Sequence, residues 1–170
     1  MTAQNLPKIG DRSFLMHREV IVFNAKPDAV PYNYRISYKV TQLCLIMRIC
    51  GRGDVCSLIK LHMISFALIS KFNMTKLIEF TEGTGNVPIV RFDPSVNRAL
   101  TYARAYGLIE QQQNAKYKLT DRGQRLAEQI IVVGDLMTVE ICSLKMLAKK
   151  LTETKVNEVV DRWRTKDAEN

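Results

Sequence analysis

The chain has 170 residues, of which 46% are apolar and 25% charged, and its formal net charge is +8. This suffices for one globular domain with appendages and excludes a charge-rich disordered chain. The basic balance favours polyanionic partners, nucleic acid first.

The main apolar runs, at 43–50 and 58–69, are interrupted by Arg48, Lys60 and His62. They are too short to span a bilayer. The N-terminus is polar and broken by Pro7, without the apolar stretch of a secretory signal. A cytoplasmic protein with no membrane partner is expected. Cys44, Cys50, Cys56 and Cys142 show no paired spacing, and His17 and His62 have no neighbours with which to build a zinc site. No metal or other cofactor is expected, and the cysteines read as reduced core thiols.

Residues 1–35 read as an N-terminal arm. A short strand is predicted over 18–24, followed by a loop punctuated by Pro27 and Pro31, with Tyr32 and Tyr34 as anchors. Helical spacing of Val40, Leu43, Cys44, Met47 and Cys50 predicts a helix over 38–50. Gly51-Arg52-Gly53-Asp54 ends it, glycine permitting the left-handed residue that closes a last turn. The Arg-Gly-Asp tripeptide signals adhesion only outside the cell and reads as coincidence.

Ser57 is a good N-cap for a second helix reaching about residue 70. From Leu58 to Ile69 that helix has almost no polar face. It is either central to this domain or partly covered by another chain. A third helix is predicted over 74–82, a turn over 83–86 and a strand over 87–92.

The next stretch is the most informative. Asp93 caps a helix that begins at Pro94, a residue tolerated where the amide has no intrahelical partner. Val96, Ala99, Leu100 and Ala103 form its inward face, and Gly107 ends it. Two short alternating segments, 108–111 and 116–119, flank the polar tip Gln112-Gln113-Asn114-Ala115 and predict a β-hairpin. Thr120 caps a further helix over 121–130, where Gly123 lets the first turn approach neighbouring backbone. Residues 131–170 form a C-terminal helical extension after Gly134, with Thr152 capping the last helix. The expected fold is mainly α: a domain over 36–130 with a short hairpin, preceded by the arm.

Gly107-Leu108-Ile109, the hairpin, and Tyr117-Lys118-Leu119-Thr120-Asp121-Arg122-Gly123 resemble the winged helix-turn-helix superfamily. A narrower resemblance lies in Gly51-Arg52-Gly53-Asp54-Val55-Cys56-Ser57-Leu58-Ile59-Lys60-Leu61-His62 together with 91–109. It is to the small middle subunit of bacterial three-component defence systems of the Lamassu type. That resemblance implies a non-catalytic accessory subunit bridging an SMC-like or ABC-type ATPase and a nuclease effector, in anti-plasmid or anti-phage defence. The alternative is a winged-helix transcriptional regulator.

In a DNA-contacting winged helix, the helix before the hairpin enters the major groove. Here it offers Asn97, Arg98, Thr101 and Arg104, with Lys116 and Lys118 from the hairpin and Arg122 beyond it. Between 91 and 125 there are seven basic and three acidic residues. Base-reading side chains are sparse, so contact with double-stranded DNA is expected to be nearly independent of sequence. Docking to a partner, whether a different subunit or a second copy, is expected through Leu58, Leu61 and Phe66 and through the stripe Val156, Val159, Val160 and Trp163. There is no phosphate-binding glycine loop, and no histidine lies beside a nucleophile. No enzymatic activity is expected.

Overall fold

The structure, a computed structural model, describes residues 35–168. The expected arm strand, Tyr32, Tyr34 and His17 lie outside the described residues. The described chain is mainly helical, with a small three-stranded antiparallel sheet. Helix α1 (Ile36–Cys50) is the axis of the fold, packing against α2 (Leu58–Ala67), α4 (Pro94–Ala105), α5 (Asp121–Val133), α6 (Thr138–Leu147) and strand β3 (Tyr117–Leu119). Its whole middle, Leu43 through Met47, is buried. Such burial on all sides accounts for its lack of a wide polar face.

Helix α4 begins and ends where the sequence predicts. The Asp93 side chain accepts from the Ser95 amide at 2.8 Å, Pro94 is the first helical residue, and Val96, Ala99, Leu100 and Ala103 are buried. Gly107 follows in the left-handed region, at φ 65°. The hairpin is formed by β2 (Ile109–Gln111) and β3. Strand β1 (Val55–Cys56), two residues long and not predicted, pairs with the other edge of β3 to give the order β1-β3-β2. The Thr120 side chain accepts from the Gly123 amide and donates to the Gly107 carbonyl at 2.7 Å, so one hydroxyl ties the end of α4 to the start of α5.

Four local expectations are corrected. The second helix stops at Ala67, because Ser70 caps α3 (Lys71–Glu82) by accepting from the Asn73 amide. Helix α3 accordingly starts three residues before the predicted 74. Residues 87–92 form no strand. They run unpaired, with Val87 and Val90 packed on the core. Gly51 is extended, and the left-handed residues of that loop are Gly53 and Asp54. Asp54 is buried and accepts from Arg48 and from Gln124, so the Arg-Gly-Asp tripeptide has a structural role.

The C-terminal helices share the same core. Helix α6 lies on α1 and α3, and α7 (Glu153–Ala168) lies on α2. Ile141, Leu144, Leu147, Leu151, Val156 and Val159 belong to one hydrophobic cluster with α1. Thr152 accepts from the Lys155 amide, as its capping role predicts. No helix among the described residues is long and apolar enough to cross a membrane.

Gly123 is the tightest point between the hairpin and α5. A Cβ there would collide with the Leu108 carbonyl oxygen and come within 2.9 Å of Leu119 Cδ2. Alanine gains up to about 1 kcal/mol of helix propensity over glycine, but overpacking against fixed backbone costs roughly 1–3 kcal/mol. Gly123→Ala should therefore lower stability, by about 1 kcal/mol net, in urea unfolding. An unchanged midpoint would show that α5 is not held this close.

Candidate nucleic-acid interface

The outward face of α4 presents Asn97, Arg98, Thr101, Tyr102 and Arg104, all exposed, and the helix contains no acidic residue. Its N-terminal end is anchored from below by two buried side chains. Lys39 of α1, only 5% exposed, reaches Asp93 Oδ2 at 3.3 Å and Gln42 Oε1 at 3.4 Å. His62 of α2, 1% exposed, accepts from the Asp93 backbone N–H on Nδ1 at 3.3 Å. That donor fixes the tautomer, so Nε2–H donates to Asn97 Oδ1 at 3.1 Å.

The electrostatics follow from this arrangement. Burial pushes the His62 imidazole below its ordinary value, against the opposing pull of its Asn97 bond and the Asp93 charge. Burial acts to raise the Asp93 carboxyl, but hydrogen bonds from Ser95 and the charge of Lys39 outweigh it and hold the group below the usual carboxylate range. At neutral pH the site therefore contains a neutral imidazole and a Lys39–Asp93 ion pair. The His62 ring also meets Phe92 at 4.8 Å between centroids, and Phe92 meets Trp163 edge-on at 6.2 Å.

The expected contact residues are not gathered in one place. Thr101 and Arg104 line a shallow groove with Ile109, Glu110 and Gln111 of β2. Arg104 donates to Gln111 Oε1 at 3.1 Å, which braces α4 against the hairpin. Lys116 and Lys118 are half-buried, and Lys118 sits directly across the ladder from Glu110. Arg122 belongs to a separate groove with Arg125 and Tyr106, between α1 and α5. Arg98 has no partner among the described residues and is the most available cation on α4.

Sequence reasoning missed the anchoring roles of Lys39 and His62, the brace from Gln111, and Tyr106, which stacks on Tyr102 with centroids 6.5 Å apart. The two tyrosines sit four residues apart at the end of α4, a spacing that could have signalled a shared face.

The expected docking residues do not form a free surface. Leu61, Val156 and Val159 are fully buried in this chain's core. Leu58, Phe66, Val160 and Trp163 are half-buried, with Leu58 and Trp163 packed against that core. The groove that receives the Trp163 stripe is the chain's own, along α2. Burial pushes the thiols of Cys44, Cys50 and Cys56 up to about 12, leaving them unreactive. Cys142 differs from the expectation in being exposed. Among the described residues no group of three or more His, Cys, Asp or Glu could hold a metal ion.

No family model, curated protein or solved structure matches the chain.

Because the folded His62 value lies below the ordinary 6.5, the unfolded chain binds that proton more readily. The His62 contribution to stability is intact above about pH 6.5 and is lost as pH falls through the depressed value. Wild-type stability should therefore fall below that pH more steeply than that of His62→Gln, followed by urea unfolding. Parallel pH profiles for the two proteins would refute the assignment.

Proposed function

We propose that this chain is a winged-helix module that holds double-stranded DNA through its backbone, as a non-catalytic accessory subunit of an SMC-like or ABC-type ATPase complex. The observation that carries the DNA half of this reading is the acid-free outer face of α4, braced to a hairpin carrying Lys116 and Lys118. The element order around it supports a winged helix: α1, β1, α2, then α4 after the intervening α3, then the hairpin, with sheet order β1-β3-β2. In such a domain the helix preceding the hairpin meets the major groove and the hairpin meets flanking backbone.

Sequence-independent contact fits better than base reading. The Asn97 oxygen is engaged by His62 and Arg104 by Gln111, so two of the side chains able to make bidentate base contacts are engaged internally. Arg98 and the lysines supply charge for phosphates. The accessory role rests on the resemblance to Lamassu-type middle subunits. In that role the chain would bridge the ATPase and a nuclease effector in anti-plasmid or anti-phage defence.

Two measurements test the proposal. Affinity for unrelated duplexes should be similar and should fall steeply with salt. Replacing Arg98, Arg104, Lys116 and Lys118 by Ala should flatten the salt slope, by about 0.9 for each phosphate no longer neutralised. Tight binding to a single operator, with weak binding elsewhere, would instead identify a transcriptional regulator. Purification from the native operon should bring down an ATPase with coiled-coil arms, and its consistent absence would end the accessory-subunit reading.

A further inference from the structure

An exposed apolar face lies between α3 and α6. Helices α3 and α6 run side by side in the same direction. Lys71 lies with Thr138 and Val139 at their starts, and Glu82 meets Lys150 just beyond the end of α6 at 2.8 Å. Between them runs an open groove whose α3 wall carries Lys71, Thr75, Ile78 and Glu82, spaced as one helical stripe. Its α6 wall carries Val139, Cys142, Ser143 and Met146. Val139 is 64% exposed and Met146 54%, and the groove continues at its starting end to Ile69 and Leu136, 61% and 58% exposed. Apolar side chains gathered to this degree mark an association surface.

The charge pattern of the two helices that wall the groove selects its occupant. On its groove wall α3 carries Lys71 at its start and Glu79 and Glu82 toward its end. Helix α6 has the opposite polarity beside its apolar groove wall, with Glu140, which accepts from Tyr38, in its first turn and Lys145 in its last, followed by Lys149 and Lys150. Each helix is thus complementary to an antiparallel copy of itself. A two-fold axis lying across the groove would set α3 antiparallel to α3 of a second copy, and α6 antiparallel to α6. Lys71 would then face Glu82, and Thr75 would face Ile78. On α6, Val139 would face Met146, and Cys142 would lie beside the axis next to its own counterpart. Both walls satisfy the same operation, as an isologous interface requires.

We infer that the α3–α6 groove is a homodimer interface, occupied by a second copy of this chain in antiparallel register. The inference stands independently of the DNA reading. It moves the association surface from the Trp163 stripe to a face that is exposed.

The test uses the full chain alone. Light scattering should return twice the mass of one chain, and mild oxidation should give a covalent dimer through Cys142. Cys142→Ser should abolish the covalent product and keep the dimer mass. Val139→Glu, at an exposed position, should reduce the mass to one chain with an unchanged circular dichroism spectrum. Lys71→Glu should weaken the dimer at least tenfold, and adding Glu82→Lys should restore it. A wild-type mass of one chain would overturn the inference. A dimer that survives Val139→Glu and is not cross-linked through Cys142 would overturn it equally.

Discussion

The middle of helix α1 is enclosed on all sides, and the other elements are arranged by what that enclosure demands. A buried helix must find partners for every polar group it carries. Lys39 finds Asp93 and Gln42, and Arg48 finds Asp54 and Glu128. At the far end the Cys50 carbonyl accepts from the Lys60 ammonium at 2.9 Å, although Lys60 is only 2% exposed. A cation at a helix C-terminus is favoured by the helix dipole, and here it stands where a left-handed glycine cap is missing. Each of these bonds fixes a different neighbour: Lys39 the start of α4, Arg48 the β1 loop and α5, Lys60 the start of α2. Removing either member of the Lys39–Asp93 pair has unequal effects. Without Lys39 a partly solvated carboxylate remains, whereas without Asp93 a buried ammonium keeps only Gln42, the costlier defect.

Elements with strong local punctuation were legible in the sequence. Asp93-Pro94 and Gly107 bracket α4, and Thr120 starts α5, because caps and left-handed positions act through a few adjacent atoms. Elements defined by distant partners were not. β1 is two residues whose only strand character is pairing with residues 117 and 118. Residues 87–92 have strand composition and no sheet edge to join, so their valines pack on the core instead. Ser70 was hidden at the end of an apolar run that reads as one helix, yet its side chain starts the next.

The candidate interface was legible in its residues and not in their states. Spacing alone puts Arg98, Thr101 and Arg104 on one face of α4. It does not reveal that Gln111 engages Arg104 or that Glu110 stands opposite Lys118, since those depend on hairpin register. The apolar surfaces were harder still. The Val156, Val159 and Trp163 stripe and the Val139, Cys142 and Met146 stripe are both half-apolar helix faces. Only the packing of α7 onto α2 makes the first interior, while the second is left open. Periodicity measures how apolar a face is and says nothing about whether this chain or another covers it.

The buried histidine links these levels. His62 lies on α2, the helix with the least polar face, yet its two ring nitrogens engage the start of α4, one at the capping residue and one at Asn97. A neutral imidazole can accept from the Asp93 amide and donate to Asn97 at once, and unlike an amide it can also take up a proton. Protonation removes the acceptor and leaves the Asp93 amide facing a donor. The start of α4 therefore loses one of its anchors when the ring is protonated, while the Asp93 cap and the Lys39–Asp93 pair remain. Phe92 lies against the same ring and Trp163 against Phe92, so the C-terminal helix reaches the His62 ring through one aromatic side chain. That gives α7 a physical connection to the outer face of α4 without touching it. Of the stripe that reads as a docking surface, Trp163 is the residue that reaches toward the anchor of the candidate DNA-contacting helix.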